Sequence, residues 1–180
     1  KFIAHDDGSP IKEAYMIVAT GKDILEISHC EFHGHSRRSG VWNKDGQLIV
    51  KNCIFEKLYG QKHGILSCRG ELECCDSSFS SCTAAESSLI VNHHETGFYS
   101  KVKLYKCVFT DCSATSLSRA WGDADYDYYL LKIIKCNFPS IHKYEHVYAS
   151  STGKAKYISV IDSVCNGPRN DPKTVQEMWG

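Results

Sequence analysis

Apolar residues recur along the chain in an eight-residue phrase, apolar-x-apolar-x-x-Cys-x-Phe, that appears six times. The copies occupy residues 25–32, 48–55, 72–79, 102–109, 131–138 and, more weakly, 158–165. Ser77 and Ser163 stand in the Cys column of the third and sixth copies. Positions one and three alternate with polar residues, which is the period-2 signature of a strand with one buried face. The step from position three to position six breaks the alternation. A bend at positions four and five returns the Cys and the Phe to the inside. Each copy is therefore expected to be two short strands meeting at a corner.

A second apolar element precedes each phrase, at residues 15–18, 40–42, 64–66, 88–91, 117–121 and 146–148. Turn signals follow each one, among them Lys44-Asp45-Gly46 and Arg69-Gly70. The Cys-column positions 30, 53, 77, 107, 136 and 163 are 23, 24, 30, 29 and 27 residues apart. A period of this size marks a repeat architecture. The unit reads strand, turn, strand, corner, short strand, loop, which is one rung of a parallel β-helix. The expected fold is all-β, a solenoid of about six rungs, roughly 25–30 Å long at the spacing of paired strands. Like residues should stack in columns, giving a Phe ladder beside a Cys/Ser ladder. A leucine-rich repeat needs a different Leu spacing, a β-sandwich gives no stacked phrase, and a propeller blade needs about 40 residues.

The chain of 180 residues reads as a single domain, with residues 1–14 as an N-terminal cap, 15–165 as rungs and 166–180 as a C-terminal cap or tail. The longer units place extra residues in loops near 92–100 and 113–129, and solenoid insertions map to a surface that often binds. The 21 basic and 21 acidic residues cancel and form no basic run, so no nucleic-acid partner is indicated. No stretch is apolar enough for a transmembrane helix. The chain opens without an initiator Met or a signal-peptide pattern, as expected of a processed or excised piece. Nothing in the composition assigns a compartment.

Ten cysteines allow two readings. Stacked buried thiols are favoured, because free Cys behaves as a small buried hydrophobe. A disulfide framework is the alternative and would require an oxidising compartment. Cys82 and Cys112 share a Phe-x-x-Cys spacing that predicts a short column of their own, and of Cys74 and Cys75 at most one can point inward.

The repeated Cys-x-Phe phrase over residues 14–165 resembles the right-handed parallel β-helix superfamily. It is similar to the coil repeats of polymorphic outer-membrane proteins and of protist or viral β-helix proteins. The resemblance implies a right-handed solenoid of pectate-lyase-like fold. It does not carry a function, since the superfamily holds lyases, hydrolases, tailspikes, adhesins and architectural pieces. Its enzymes usually have more than six rungs.

The densest polar cluster is Gly122-Asp123-Ala-Asp125-Tyr126-Asp127-Tyr128-Tyr129. Asp123, Asp125 and Asp127 could offer oxygen ligands to Ca²⁺, although Tyr128 and Ile134 replace the Gly and Glu of an EF-hand loop. In β-helix lyases acidic residues bind Ca²⁺ and a basic residue acts as base, so the resemblance makes Arg119 the companion of the three carboxylates. A solvated acidic loop is the simpler reading. His29, His33 and His35 flank Cys30, but no second ligand pair completes a zinc site. Trp42, Tyr59, Trp121, Tyr126 and Tyr128 fall outside the inward columns and are candidate binding aromatics.

The first expected function is a non-enzymatic structural or recognition module that presents loops to a protein or glycan partner, with the ends of the rod as a surface for self-association. It needs no cofactor. The alternative is a polysaccharide lyase or glycoside hydrolase that uses Asp123, Asp125, Asp127 and Arg119.

Overall fold

The computed structural model describes residues 1–3, 14–36, 38–94, 100–122, 129–138, 146–150 and 157–165. All secondary structure there is strand, and the strands lie in three large parallel sheets and one of two strands. The Leu sheet holds the first half of every phrase: Leu25–Ser28, Leu48–Lys51, Glu71–Cys75, Ser100–Tyr105, Tyr129–Ile134 and Tyr157–Ile161. The Phe sheet holds the second half: Glu31–His33, Ile54–Glu56, Ser78–Ser80, Val108–Thr110, Asn137–Phe138 and Val164–Cys165. The third sheet holds the preceding elements: Tyr15–Ala19, Ser39–Asn43, Leu66–Cys68, Ser88–His94, Ser116–Gly122 and His146–Ser150. No described helix is long and apolar enough to cross a membrane.

Every strand pairs with its equivalent in the next unit, and the register keeps like on like. Leu25, Leu48, Leu72, Val102, Leu131 and Ile158 form one column. Phe32, Phe55, Phe79 and Phe109 form another and are fully buried. Their rings stack nearly parallel, with centroids 4.7–4.8 Å apart. That separation is the strand spacing itself, so backbone pairing dictates the ring stack.

The corner expected at positions four and five is present. His29, Asn52, Asp76, Lys106, Lys135 and Asp162, each at position five, have φ between 48° and 54°. Left-handed backbone is uncommon outside Gly, and Asn and Asp tolerate it best. Pairing holds the row in place. The position-five N–H donates to the position-four carbonyl of the next unit, as in Asn52 to Cys75 at 3.1 Å and Lys135 to Ile161 at 2.9 Å. A second left-handed row, Lys57, Ser81 and Asp111, turns the chain after the Phe sheet. It brings Leu58, Cys82 and Cys112 inward in successive units, all fully buried.

Two boundaries differ from the sequence reading. Residues 92–94 are strand and the element expected at 117–121 runs from Ser116 to Gly122, because pairing with the neighbouring unit extends both strands beyond their apolar stretch. The insertions shrink to 95–99 and 123–128, which lie outside the described residues. Residues 2–3, read as part of a cap, form a seventh strand of the Phe sheet, with Phe2 in register with Phe32 and stacked on it at 4.8 Å. The remainder of the expected N-terminal cap, 4–13, and the whole C-terminal tail, 166–180, also lie outside the described residues.

Candidate functional site

The two insertions start and finish side by side. His94 and Gly122, the last residues before them, are register partners in the third sheet. Ser100 and Tyr129, the first residues after them, are register partners in the Leu sheet. Both insertions thus replace the same tight turn in adjacent units, where the third unit manages with Arg69-Gly70 between Cys68 and Glu71. Strand partners lie about 4.8 Å apart, so the two loops leave the third sheet side by side and enter the Leu sheet side by side.

Asp123, Asp125, Tyr126, Asp127 and Tyr128 belong to the second insertion and lie outside the described residues. Arg119 and Trp121 are on its leading strand, opposite Val91 and His93 respectively. Trp42, Ser67, Val91 and Arg119 share one register column of the third sheet. Trp42 and Arg119 are therefore three strands, or about 14 Å, apart at their backbones.

Trp42 is half-buried and engaged by the protein's own side chains. His63 stacks on it at 5.3 Å, Tyr15 tilts against it at 5.4 Å, and the Lys44 ammonium lies 4.7 Å from the ring centroid. Tyr59 is half-buried in a two-residue strand paired with Thr83–Ala84. The sequence reading missed two buried amides beside the turns. Asn43 Nδ2 donates to the Gln47 carbonyl at 2.9 Å, and Asn92 Nδ2 donates to the Gly70 carbonyl at 2.6 Å. Their signal was an Asn just after the apolar stretch and before the turn, where a side-chain amide can satisfy a turn carbonyl.

The nine cysteines from Cys30 to Cys136 are free thiols, and all of them but Cys30 are buried. Cys74 points into the core, while Cys75 lies on the outer side and donates to Glu73 at 3.3 Å. Burial pushes the Cys68 thiol up to about 12, and burial followed by the Glu73 contact pushes Cys75 to about 11. Such thiols stay protonated at neutral pH and are poor nucleophiles. Native labelling with a maleimide is expected to modify Cys30 before any of the eight buried thiols, which react only on unfolding. Peptide mapping before and after denaturation checks this, and fast native labelling of Cys68 would contradict it.

Charged residues on the outer faces mostly pair between units. Lys101 meets Glu71 and Lys103 meets Glu73, both at 3.2 Å, and Lys51 meets Glu26 at 3.0 Å. Exposed pairs of this kind are worth about 0–1 kcal/mol each. His33 joins two carboxylates, with Nδ1 2.9 Å from Glu56 Oε2 and Nε2 3.2 Å from Glu31 Oε2. The His33 hydrogen bond, then the Lys1 charge, holds Glu31 below its ordinary value of 4.5. Lys57, then His33, does the same for Glu56.

A depressed carboxyl stabilises the fold above its unfolded value, and that stabilisation is lost as pH falls through the folded value. The melting temperature is therefore expected to decline below about pH 4.5, and the Glu31→Gln/Glu56→Gln double variant to decline less. Parallel melting curves of the two proteins from pH 6 down to pH 3 would refute the assignment. Among the described residues, no three His, Cys, Asp or Glu side chains are placed to hold a metal ion.

Compared with protein-family models, curated proteins and solved structures, the chain matches none.

Proposed function

We propose that the three sheets close into a right-handed parallel β-helix over residues 15–165, and that this rod is a non-enzymatic recognition module. Its working surface is the pair of insertions at 95–99 and 123–128, presented to a protein or glycan partner. The observation that supports this reading is the double register match of the loop stems, His94 with Gly122 and Ser100 with Tyr129. Loops on a rigid parallel scaffold keep a fixed spacing, and binding residues concentrate on loops held in that way. The Asp and Tyr residues of 123–128 suit such a surface, since Tyr gives contact area at low entropy cost and carboxylates accept hydrogen bonds from hydroxyls.

The test replaces each insertion, singly and together, with the Arg-Gly turn of the third unit. Glycan-array binding and peptide-display selection are then run on the wild type and on the shortened proteins. The expected result is a ligand that the wild type retains and the doubly shortened protein loses, with unchanged far-ultraviolet circular dichroism and melting temperature. Equal binding by both would move recognition away from the loops. Cleavage of a glycan by the wild type, abolished in Asp125→Asn, would replace this reading with a lyase or hydrolase.

A further inference from the structure

The outer face of the Leu sheet changes sign between the third and fourth units. At positions two and five of the phrase the third unit carries Glu73 and Asp76, and the fourth carries Lys103 and Lys106. The fifth carries Lys132 and Lys135, and the sixth Ser159 and Asp162. Lys103 and Lys106 turn to the carboxylates of the third unit, at 3.2 and 3.9 Å. Lys132 and Lys135 are exposed and, among the described residues, form no ion pair. Lysine thus stands on lysine in two rows, at a backbone separation of about 4.8 Å. Like charges directly opposite destabilise a sheet. The arrangement costs stability with no gain inside the fold, and departures of that kind mark functional positions.

Position four lies between the two basic rows. It holds Tyr105, Ile134 and Ile161 in register, all at least partly exposed and Ile161 at 46%. The Lys106 ammonium stands 5.1 Å from the Tyr105 ring centroid. The surface is therefore a narrow apolar strip with ammonium groups along both sides, bounded by Glu73 and Asp76 at one limit and by Asp162 at the other. We infer that this strip binds an acidic polysaccharide, a chain of sulfated or uronate sugars lying along the stack. Sugar ring faces fit the Tyr105 and Ile134 side chains, and the anionic groups on either side meet the lysines. Sugar hydroxyls donate to the bounding carboxylates. DNA offers those carboxylates phosphates and no hydroxyls, and a flat anionic membrane would be repelled by the acidic row. The strip lies on the strands of the Leu sheet, so the inference holds whatever the insertions at 95–99 and 123–128 bind.

The experiment titrates the full chain with heparin, with desulfated heparin and with a single-stranded oligonucleotide of matched charge, by calorimetry at several salt concentrations. Heparin is expected to bind, more tightly than its desulfated form and less tightly as salt rises. The Lys132→Gln/Lys135→Gln variant is expected to lose about tenfold or more in heparin affinity, the loss for removing charged hydrogen-bond donors. The protein with both insertions shortened should bind heparin as the wild type does. Lys132→Glu sets a carboxylate opposite Lys103, so it should lose heparin and melt about 1–4 °C higher. No heparin binding by the wild type, or equal binding by the double Gln variant, would overturn the inference. A lower melting temperature for Lys132→Glu would also overturn it, since the lysine would then serve the fold. Loss of binding in the doubly shortened protein would overturn it in favour of the insertions, and an oligonucleotide bound as tightly as heparin in favour of nucleic acid.

Discussion

Phe55→Ala is expected to lower the stability of the fold by about 3–5 kcal/mol, the range for removing a fully buried aromatic ring. Phe55 lies between Phe32 and Phe79 at 4.8 Å on either side, with no solvent exposure. The backbone fixes the two neighbouring rings at their own strand positions, so they cannot collapse into the gap. The loss should fall toward the upper part of the range for that reason. Each ring pair adds about 0.5–1.5 kcal/mol beyond the buried area. A double-mutant cycle of Phe55→Leu and Phe79→Leu in urea isolates that coupling. Phe2→Ala provides the contrast, because Phe2 touches one ring and is partly exposed. If Phe55→Ala and Phe2→Ala shift the denaturation midpoint equally, the ladder is not what holds the units together.

Gly46→Ala is the second large effect expected, about 1–3 kcal/mol or more from overpacking. A Cβ at Gly46 would run into the Asp23 carbonyl oxygen and lie 2.9 Å from that of Gly21 and 3.1 Å from Asn43 Nδ2. Two of these atoms are backbone of the preceding unit's turn, so the turn itself must move. The displacement also threatens the hydrogen bond from Asn43 to the Gln47 carbonyl. Gly70→Ala meets the neighbouring turn at 2.9 Å and should cost less. Thermal melts of the two variants beside the wild type give the ranking, and a Gly46→Ala protein as stable as the wild type would mean the turns are loosely packed.

The columns were legible in the sequence because the register stacks each residue on its own equivalent. Leu25 over Leu48 and Phe55 over Phe79 can be read from spacing alone. The corner was legible too, since no straight strand turns positions one, three, six and eight to one side. Features that depend on how one unit's turn meets the next were not legible. Trp42 looked like a free aromatic, but His63 reaches it from the following unit and Tyr15 from the preceding one. Strand ends at His94 and Gly122 are set by pairing and not by local pattern, so the insertions were drawn too long. Phe2 gave no signal because only Lys1 stands ahead of it, so no alternating apolar positions mark its strand. The clustered carboxylates of 123–128 were the plainest chemical signal, and their tests remain those of the loop-shortened and Asp125→Asn proteins.

The one-to-one register also sets how such a chain can change in length. Joining Gln47 to Leu72 removes 24 residues and brings Leu72 opposite Leu25, in the place Leu48 now fills. The Phe79 ring would then take the position of Phe55 above Phe32. Loss or duplication of one whole unit leaves every remaining column intact, whereas loss of one residue within a strand turns an apolar row outward. Genetic drift in this chain should therefore run in steps of a full repeat, with stability changing by one unit and one interface at each step.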